Sequence, residues 1–168
     1  MKKVLLILFV SVSFLLVSKR SEAQASQDYT SEVGLKFGGY EDGISYKYFA
    51  SQAISYEGVL GFRDHGVVFS GLYEINQEAF NSPGLKFYYG FGAHIGADGK
   101  GDYSRFGGDD EYYNSSHLLL GADGVIGLEY KIPEAPIAVS LDLNPRLELA
   151  TGPFFDIAPG LGVKYTFN

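Results

Sequence analysis

The chain has 168 residues and a formal net charge of −7, with 13 Lys and Arg against 20 Asp and Glu. That balance excludes nucleic acid as a partner, because neutralising phosphates takes clustered cations, and the absence of cysteine excludes disulfides, thiolate-held metal and lipid attachment at a cysteine. Residues 1–25 read as a secretory signal peptide that is removed. Lys2 and Lys3 precede the uncharged apolar run Val4 to Val17, and Ala23-Gln24-Ala25 supplies small residues for cleavage. The run is shorter than the roughly 20 residues a spanning helix needs. Because the leader also carries Lys19 and Arg20 against Glu22, the remaining 26–168 form one domain of about −10 formal charge.

Beyond the leader, eight runs alternate with a period of two, which places successive side chains on opposite faces of a strand. The first, 32–40, sets Val33, Leu35 and Phe37 on one face. The second, 44–50, opposes Ile44, Tyr46 and Tyr48 to Ser45 and Lys47. In 53–62, Ile54, Tyr56, Leu60 and Phe62 face away from Ser55 and Glu57; Asp64-His65-Gly66 then signals a tight turn. Val67, Phe69, Tyr73 and Ile75 share a face of 67–76. In 84–96, Leu85, Phe87, Tyr89, Phe91, Ala93 and Ile95 oppose Lys86, Tyr88, Gly90, Gly92 and His94.

The stretch 97–116 is the longest loop, rich in Gly, Asp and Tyr. After it, 117–132 sets Leu118, Leu120, Ala122, Ile126, Leu128, Tyr130 and Ile132 opposite Asp123, Glu129 and Lys131. Pro133-Glu134-Ala135-Pro136 forces a turn into the clearest run. There Ile137, Val139, Leu141, Leu143, Leu147 and Leu149 face one way, and Ala138, Ser140, Asp142, Asn144, Arg146 and Glu148 the other. The last run, 154–168, opposes Phe155, Ile157, Leu161, Val163, Tyr165 and Phe167 to Asp156, Lys164 and Thr166. Pro145 and Pro159 interrupt the last two runs, and since proline donates no ladder hydrogen bond each predicts a bulge or a strand edge.

Wide apolar faces opposite polar ones fit strands that cross a bilayer. Spanning strands need about 9–11 residues, and in hydrocarbon their backbone is satisfied only in a closed barrel. The expected fold is therefore all-β: a closed eight-stranded antiparallel up-and-down transmembrane β-barrel with a filled lumen. Its inward faces would carry a balanced charge ladder. The cations are Lys36, Lys47, Arg63, Lys86, Lys131, Arg146 and Lys164; the anions are Glu57, Glu74, Asp123, Glu129, Asp142, Glu148 and Asp156. Buried charges demand partners, and inward-facing His94 is expected to hydrogen-bond within the ladder.

Three segments resemble strands of a known family: Tyr88–Gly96 (YYGFGAHIG), Gly121–Tyr130 (GADGVIGLEY) and Gly160–Phe167 (GLGVKYTF). They are similar to the small outer-membrane β-barrel proteins of Gram-negative envelopes, the OmpA/OmpX-like porin family. The resemblance implies a barrel in the cell outer membrane with both termini in the periplasm, whose last strand is read by the barrel-assembly machinery. Here Asn168 follows the aromatic Phe167 that usually closes such a strand. Many members have no assigned activity.

The candidate sites are weak beside this architecture. Ser115, Ser116 and His117 adjoin Asp109, Asp110 and Glu111, and outer-membrane lipid-modifying barrels exist. Neighbours on a strand point to opposite faces, however, so Ser116 and His117 are poorly placed as nucleophile and base. The loop carboxylates Asp98, Asp102, Asp109, Asp110 and Glu111 could offer oxygens to Ca²⁺, but their spacing is not that of a Ca²⁺ loop. Neither a catalytic residue, a metal site nor a cofactor is expected. Tyr103, Phe106, Tyr112 and Tyr113 are candidate surface contacts, since loops on rigid scaffolds carry function; packing against the barrel rim is their bland alternative. The sequence thus favours a non-enzymatic, monomeric outer-membrane barrel among outer-membrane lipids, with a structural or surface-interaction role and minor passage of small solutes. The alternatives are an outer-membrane lipid hydrolase or acyltransferase, and a secreted soluble lipocalin-like ligand-binding barrel.

Overall fold

A computed structural model describes residues 29–38, 41–63, 65–103, 111–150 and 154–168. The leader and residues 104–110 of the acidic loop, Phe106, Asp109 and Asp110 among them, lie outside the described residues. Ten strands follow in order: β1 (Ser31–Gly38), β2 (Asp42–Phe49), β3 (Ile54–Phe62), β4 (Gly66–Glu78), β5 (Leu85–Asp98), β6 (Gly101–Tyr103), β7 (Glu111–Tyr113), β8 (His117–Lys131), β9 (Ile137–Glu148) and β10 (Phe154–Phe167). Eight of them close into one antiparallel barrel, β1-β2-β3-β4-β5-β8-β9-β10, in which β10 pairs back onto β1. The remaining two form a separate two-stranded sheet, β6–β7, within the long connection between β5 and β8. All eight runs expected from alternation are barrel strands, displaced by at most two residues at either end; the short two-stranded sheet was expected as loop.

The wall is strongly staggered. Directly opposed residues traced from Gly34 run Ser45, Val59, Ser70, His94, Gly121 and Glu148 to Phe154. Across the seam, Gly34 instead pairs with Lys164, ten residues from Phe154. Such a stagger tilts strands about 35–45° from the barrel axis, so opposed residues are not at equal depth.

Neither proline produces a bulge. The β8–β9 register on both sides of Pro145 is continuous, with Asp123 opposite Arg146 and Ile126 opposite Leu143; only the pairs between them are missing from the ladder. Gly124 explains why: a Cβ there would lie 2.8 Å from Pro145 Cγ, so a residue without a side chain admits the ring. Pro159 lies one residue beyond Gly160, where the β1 ladder ends, and so sits at an edge.

The barrel is apolar outside and polar inside. Leu35, Ile44, Phe69, Ile95, Leu141 and Val163 are among many large apolar side chains exposed on the outer wall. Buried on the inner wall are Glu32, Lys47, Glu57, Glu74, Glu129, Asp142, Arg146 and Lys164. A lipocalin-like interior would need the reverse. The inward apolar side chains are few: Leu72, Tyr88 and Val125 touch one another, and Val59 and Ala158 are buried nearby.

Candidate functional site in the barrel lumen

The inward side chains gather into two charged groups and an aromatic mouth. In the first group three lysines from β1, β2 and β10 meet carboxylates from β1, β3, β4, β8 and β9. Lys47 is fully buried, 3.0 Å from Glu74 and 3.1 Å from Glu129. Its ammonium also sits 4.3 Å above the centre of the Tyr88 ring. Lys164 lies 2.7 Å from Glu57, 3.5 Å from Glu129 and 3.7 Å from Glu32. Lys36 approaches Asp142 at 3.1 Å and Glu57 at 3.7 Å, and donates to Asn144 at 3.3 Å.

Neutral donors occupy further lone pairs of these carboxylates. Tyr88 Oη donates to Asp142 at 2.6 Å, Ser45 to Glu57 at 2.5 Å and Ser55 to Glu74 at 3.0 Å; Asn76 in turn donates to Ser55 at 2.8 Å. Inward glycines give the long side chains room. A Cβ on Gly127 would lie 2.8 Å from Tyr88 Cζ, and one on Gly160 would lie 2.2 Å from an Asp142 oxygen.

The second group closes the opposite end, on the side of the β1–β2, β3–β4 and β9–β10 turns. Glu41, just before β2, folds into the cylinder and takes two guanidiniums: Arg63 at 2.8 Å and Arg146 at 2.9 Å. Burial pushes the Glu41 carboxyl up, but the two guanidiniums outweigh it and hold it below the usual glutamate value. Arg146 also donates through Nε to Asp123 at 2.9 Å and through Nη2 to Ser70 at 3.3 Å. Arg63 reaches Asp98 at 3.7 Å. His94 spans from Asp123, 2.9 Å from Nδ1, to Glu148, 2.9 Å from Nε2. Between the groups lies a recess walled by Val59, Leu72 and Ala158 and by Asp123, Asn144 and Arg146.

The third feature lies at the end carrying the chain termini. Tyr29, just before β1, packs edge-on against Phe49 with ring centres 5.4 Å apart. Lys86 lies 4.4 Å over the Phe49 ring and within 3.4 Å of the Tyr29 hydroxyl. Lys131 donates to the carbonyls of Ile132 and Ala135 and lies 5.9 Å from the Tyr29 ring centre. Burial, reinforced by Glu32 and Glu129, raises the Tyr29 hydroxyl well above its ordinary value, so it stays a donor.

Thirteen of the fourteen expected ladder residues thus join these three groups: Lys36, Lys47, Glu57, Glu74, Glu129, Asp142 and Lys164 in the first, Arg63, Asp123, Arg146 and Glu148 in the second, Lys86 and Lys131 at the mouth. Asp156 stands apart. It is directly opposite Arg146 on the neighbouring strand, yet among the described residues it pairs with no cation; its Oδ1 accepts the backbone N–H of Ile157 at 2.8 Å. That bond caps a stretch of β10 lying past the end of the β1 ladder. Sequence reasoning missed Glu32 and Glu41. Glu32 had a signal, since it continues the inward series Gly34 and Lys36. Glu41 had none, because a turn residue has no strand parity and its arginine partners are 22 and 105 residues away.

The loop residues carry less. Tyr112 is exposed, and in the β6–β7 ladder Tyr103 opposes Glu111 and Tyr113 opposes Gly101. His117 Nδ1 lies 3.4 Å from the backbone carbonyl of Ser115, not from its hydroxyl. Among the described residues, no three His, Asp or Glu side chains are arranged to hold a metal ion.

No family model matches the chain, and no curated protein matches its sequence. Among solved structures it is similar to the N-terminal β-barrel domain of Pseudomonas aeruginosa OprF. The identity is 21% and the TM-score 0.58, over 82% of this chain and 95% of that one. The two share one fold. A closed eight-stranded antiparallel barrel is therefore common to this chain and the OprF domain.

Proposed function

We propose that this chain is an integral outer-membrane barrel with a structural or surface-interaction role and no catalytic one. One observation carries the reading: the closed wall exposes an apolar surface while its ionised side chains pair inside. A soluble protein rarely exposes apolar patches beyond a few hundred Å². In a bilayer the same surface meets acyl chains, and closure leaves no strand edge unpaired in hydrocarbon. The likeness to the OprF barrel supports the same architecture.

In this reading the lumen charges form a ladder that holds the cylinder together from within. Leu72, Tyr88 and Val125 narrow the bore beside the Lys36–Asp142 pair, which leaves solute passage a minor role. The β6–β7 sheet and exposed Tyr112 face outward as the surface for interaction.

The test is orientation in the membrane. A photoactivatable lipid-phase probe is expected to tag Leu141 and Leu143 and to spare Asp142, Arg146 and Glu148. Labelling of the charged set, or recovery of the protein from the aqueous phase without detergent, overturns the assignment.

A further inference from the structure

His94 bridges two carboxylates, and with both of them ionised a neutral imidazole satisfies only one. Its side chain is fully buried, and each ring nitrogen lies 2.9 Å from a carboxylate oxygen, Asp123 Oδ1 at Nδ1 and Glu148 Oε2 at Nε2. Ionised carboxylates only accept hydrogen bonds, and a neutral imidazole has one N–H to give. Holding both contacts therefore takes the imidazolium, which donates from both nitrogens.

The groups facing the ring come from β4, β8 and β9. Asp123 comes from β8 and Glu148 from β9; β4 offers only the uncharged Ser70 opposite His94. Of the cations at this end, Arg146 is engaged by Asp123 and by both oxygens of Glu41, and Arg63 is drawn to Glu41 and Asp98. Asp156 on β10 adds a further carboxylate at this end. The ring also has a slot made for it. Gly121 sits directly opposite His94 on β8, and a Cβ there would lie 2.6 Å from His94 Cε1.

Glu148 connects the ring to the rim. While Oε2 takes His94, Oε1 accepts the backbone N–H groups of Leu120 at 2.9 Å and Ala150 at 3.1 Å, and at 3.2 Å it shares the Leu149 N–H, which also donates to the Leu120 carbonyl at 2.9 Å. Leu149 and Ala150 are the first residues after β9. One carboxylate thus fixes the outer end of β8 and the entry to the β9–β10 turn, and its aim depends on the ring.

We propose that His94 is a proton-operated latch: the charged ring ties Asp123 to Glu148 across β8 and β9, and through Glu148 it holds the start of the β9–β10 turn. Removing one proton leaves a single N–H for two acceptors, so one arm lets go and the repelled carboxylate turns aside. The outer rim then loosens while the paired lysines deeper in the lumen stay in place.

The experiment follows the ring and the rim together, using the protein reconstituted in lipid nanodiscs between pH 5 and 9. Nitrogen NMR of the His94 ring reports its protonation; amide exchange reports Leu120, Leu149 and Ala150. As the ring loses its proton, protection at Leu120 and Ala150, corrected for the intrinsic rise of exchange with pH, is expected to fall roughly tenfold with the same midpoint, which is the scale of one lost charge-assisted hydrogen bond. In His94→Gln the barrel should keep its heat-modifiable gel mobility while the rim amides lose this pH response. A ring that keeps one protonation state throughout overturns the latch. So do rim amides that follow another midpoint, or that respond unchanged in His94→Gln.

Discussion

At the scale of single residues, the lumen shows what a buried charge costs when its partner is lost. Lys47 has no solvent, two carboxylates within 3.1 Å and a ring face beneath it. Breaking a buried pair by removing one partner typically costs about 3–5 kcal/mol, because the remaining charge is stranded, whereas removing both charges costs far less. Lys47→Met is therefore expected to lower the barrel's stability by about 3–5 kcal/mol, read from urea unfolding in lipid vesicles by gel mobility. Lys47→Met combined with Glu74→Gln should recover more than half of that loss. A double variant no better than the single one would show that the lysine acts by packing rather than by charge.

Glu41 gives the lumen a defined acid response. Its carboxyl is held below the ordinary value of 4.5 by Arg146 and Arg63, against the upward push of burial. A carboxyl with a depressed folded value stabilises the fold above its unfolded value and loses that contribution as the pH falls through the folded one. Stability from this group should therefore be intact at neutral pH and decline progressively below about 4.5. Glu41→Gln should be less stable than the parent at pH 7, and the gap should shrink on acidification. Unfolding curves at pH 7 and pH 3 check this; a gap that widens in acid would mean the guanidiniums do not hold Glu41 in its charged form.

At the scale of elements, glycines decide where strands approach closely, and two neighbours make opposite predictions. Gly71 on β4 faces outward with nothing within 4 Å of an added Cβ, while one on Gly92 of β5 would fall 1.9 Å from the Gly71 carbonyl oxygen. Gly71→Ala should be neutral or slightly stabilising, since glycine weakens a strand interior. Gly92→Ala should cost about 1–3 kcal/mol, the usual scale of overpacking. Thermal loss of the compact gel form measures both, and equal effects would remove the distinction between the two faces. The strands themselves were legible because parity is a local property: alternation alone placed all eight to within two residues. What parity cannot supply is partnership across the cylinder. The pairing of Lys36 with Asp142, and of Glu41 with Arg146, follows from stagger and closure, which depend on every strand at once. Pro159 lies at the edge that was expected of it, but Pro145 misled for a similar reason. Pro145 reads as a breaker in its own strand, and only register reveals that Gly124 receives its ring.

At the scale of the whole molecule, the decisive quantity is what the outer wall touches. Leu141 lies on β9 between Leu141's two paired neighbours, Leu128 on β8 and Leu161 on β10, so three leucines form one exposed apolar row. On a soluble barrel an exposed leucine replaced by arginine changes stability by about 0.5 kcal/mol or less. On a membrane barrel the same change near the bilayer midplane costs about 2–4 kcal/mol, falling toward about 0–1 near the interfaces. Leu141→Arg is therefore expected to cost about 2–4 kcal/mol in lipid vesicles, measured by reversible urea unfolding. Tyr165→Arg, four residue pairs nearer the chain-terminal end of β10, should cost less as the wall nears the headgroups. Because both positions are equally exposed, exposure alone predicts equal and small effects. A depth-dependent pair of losses separates hydrocarbon from water, and two negligible losses would mean that the apolar wall faces something other than a bilayer.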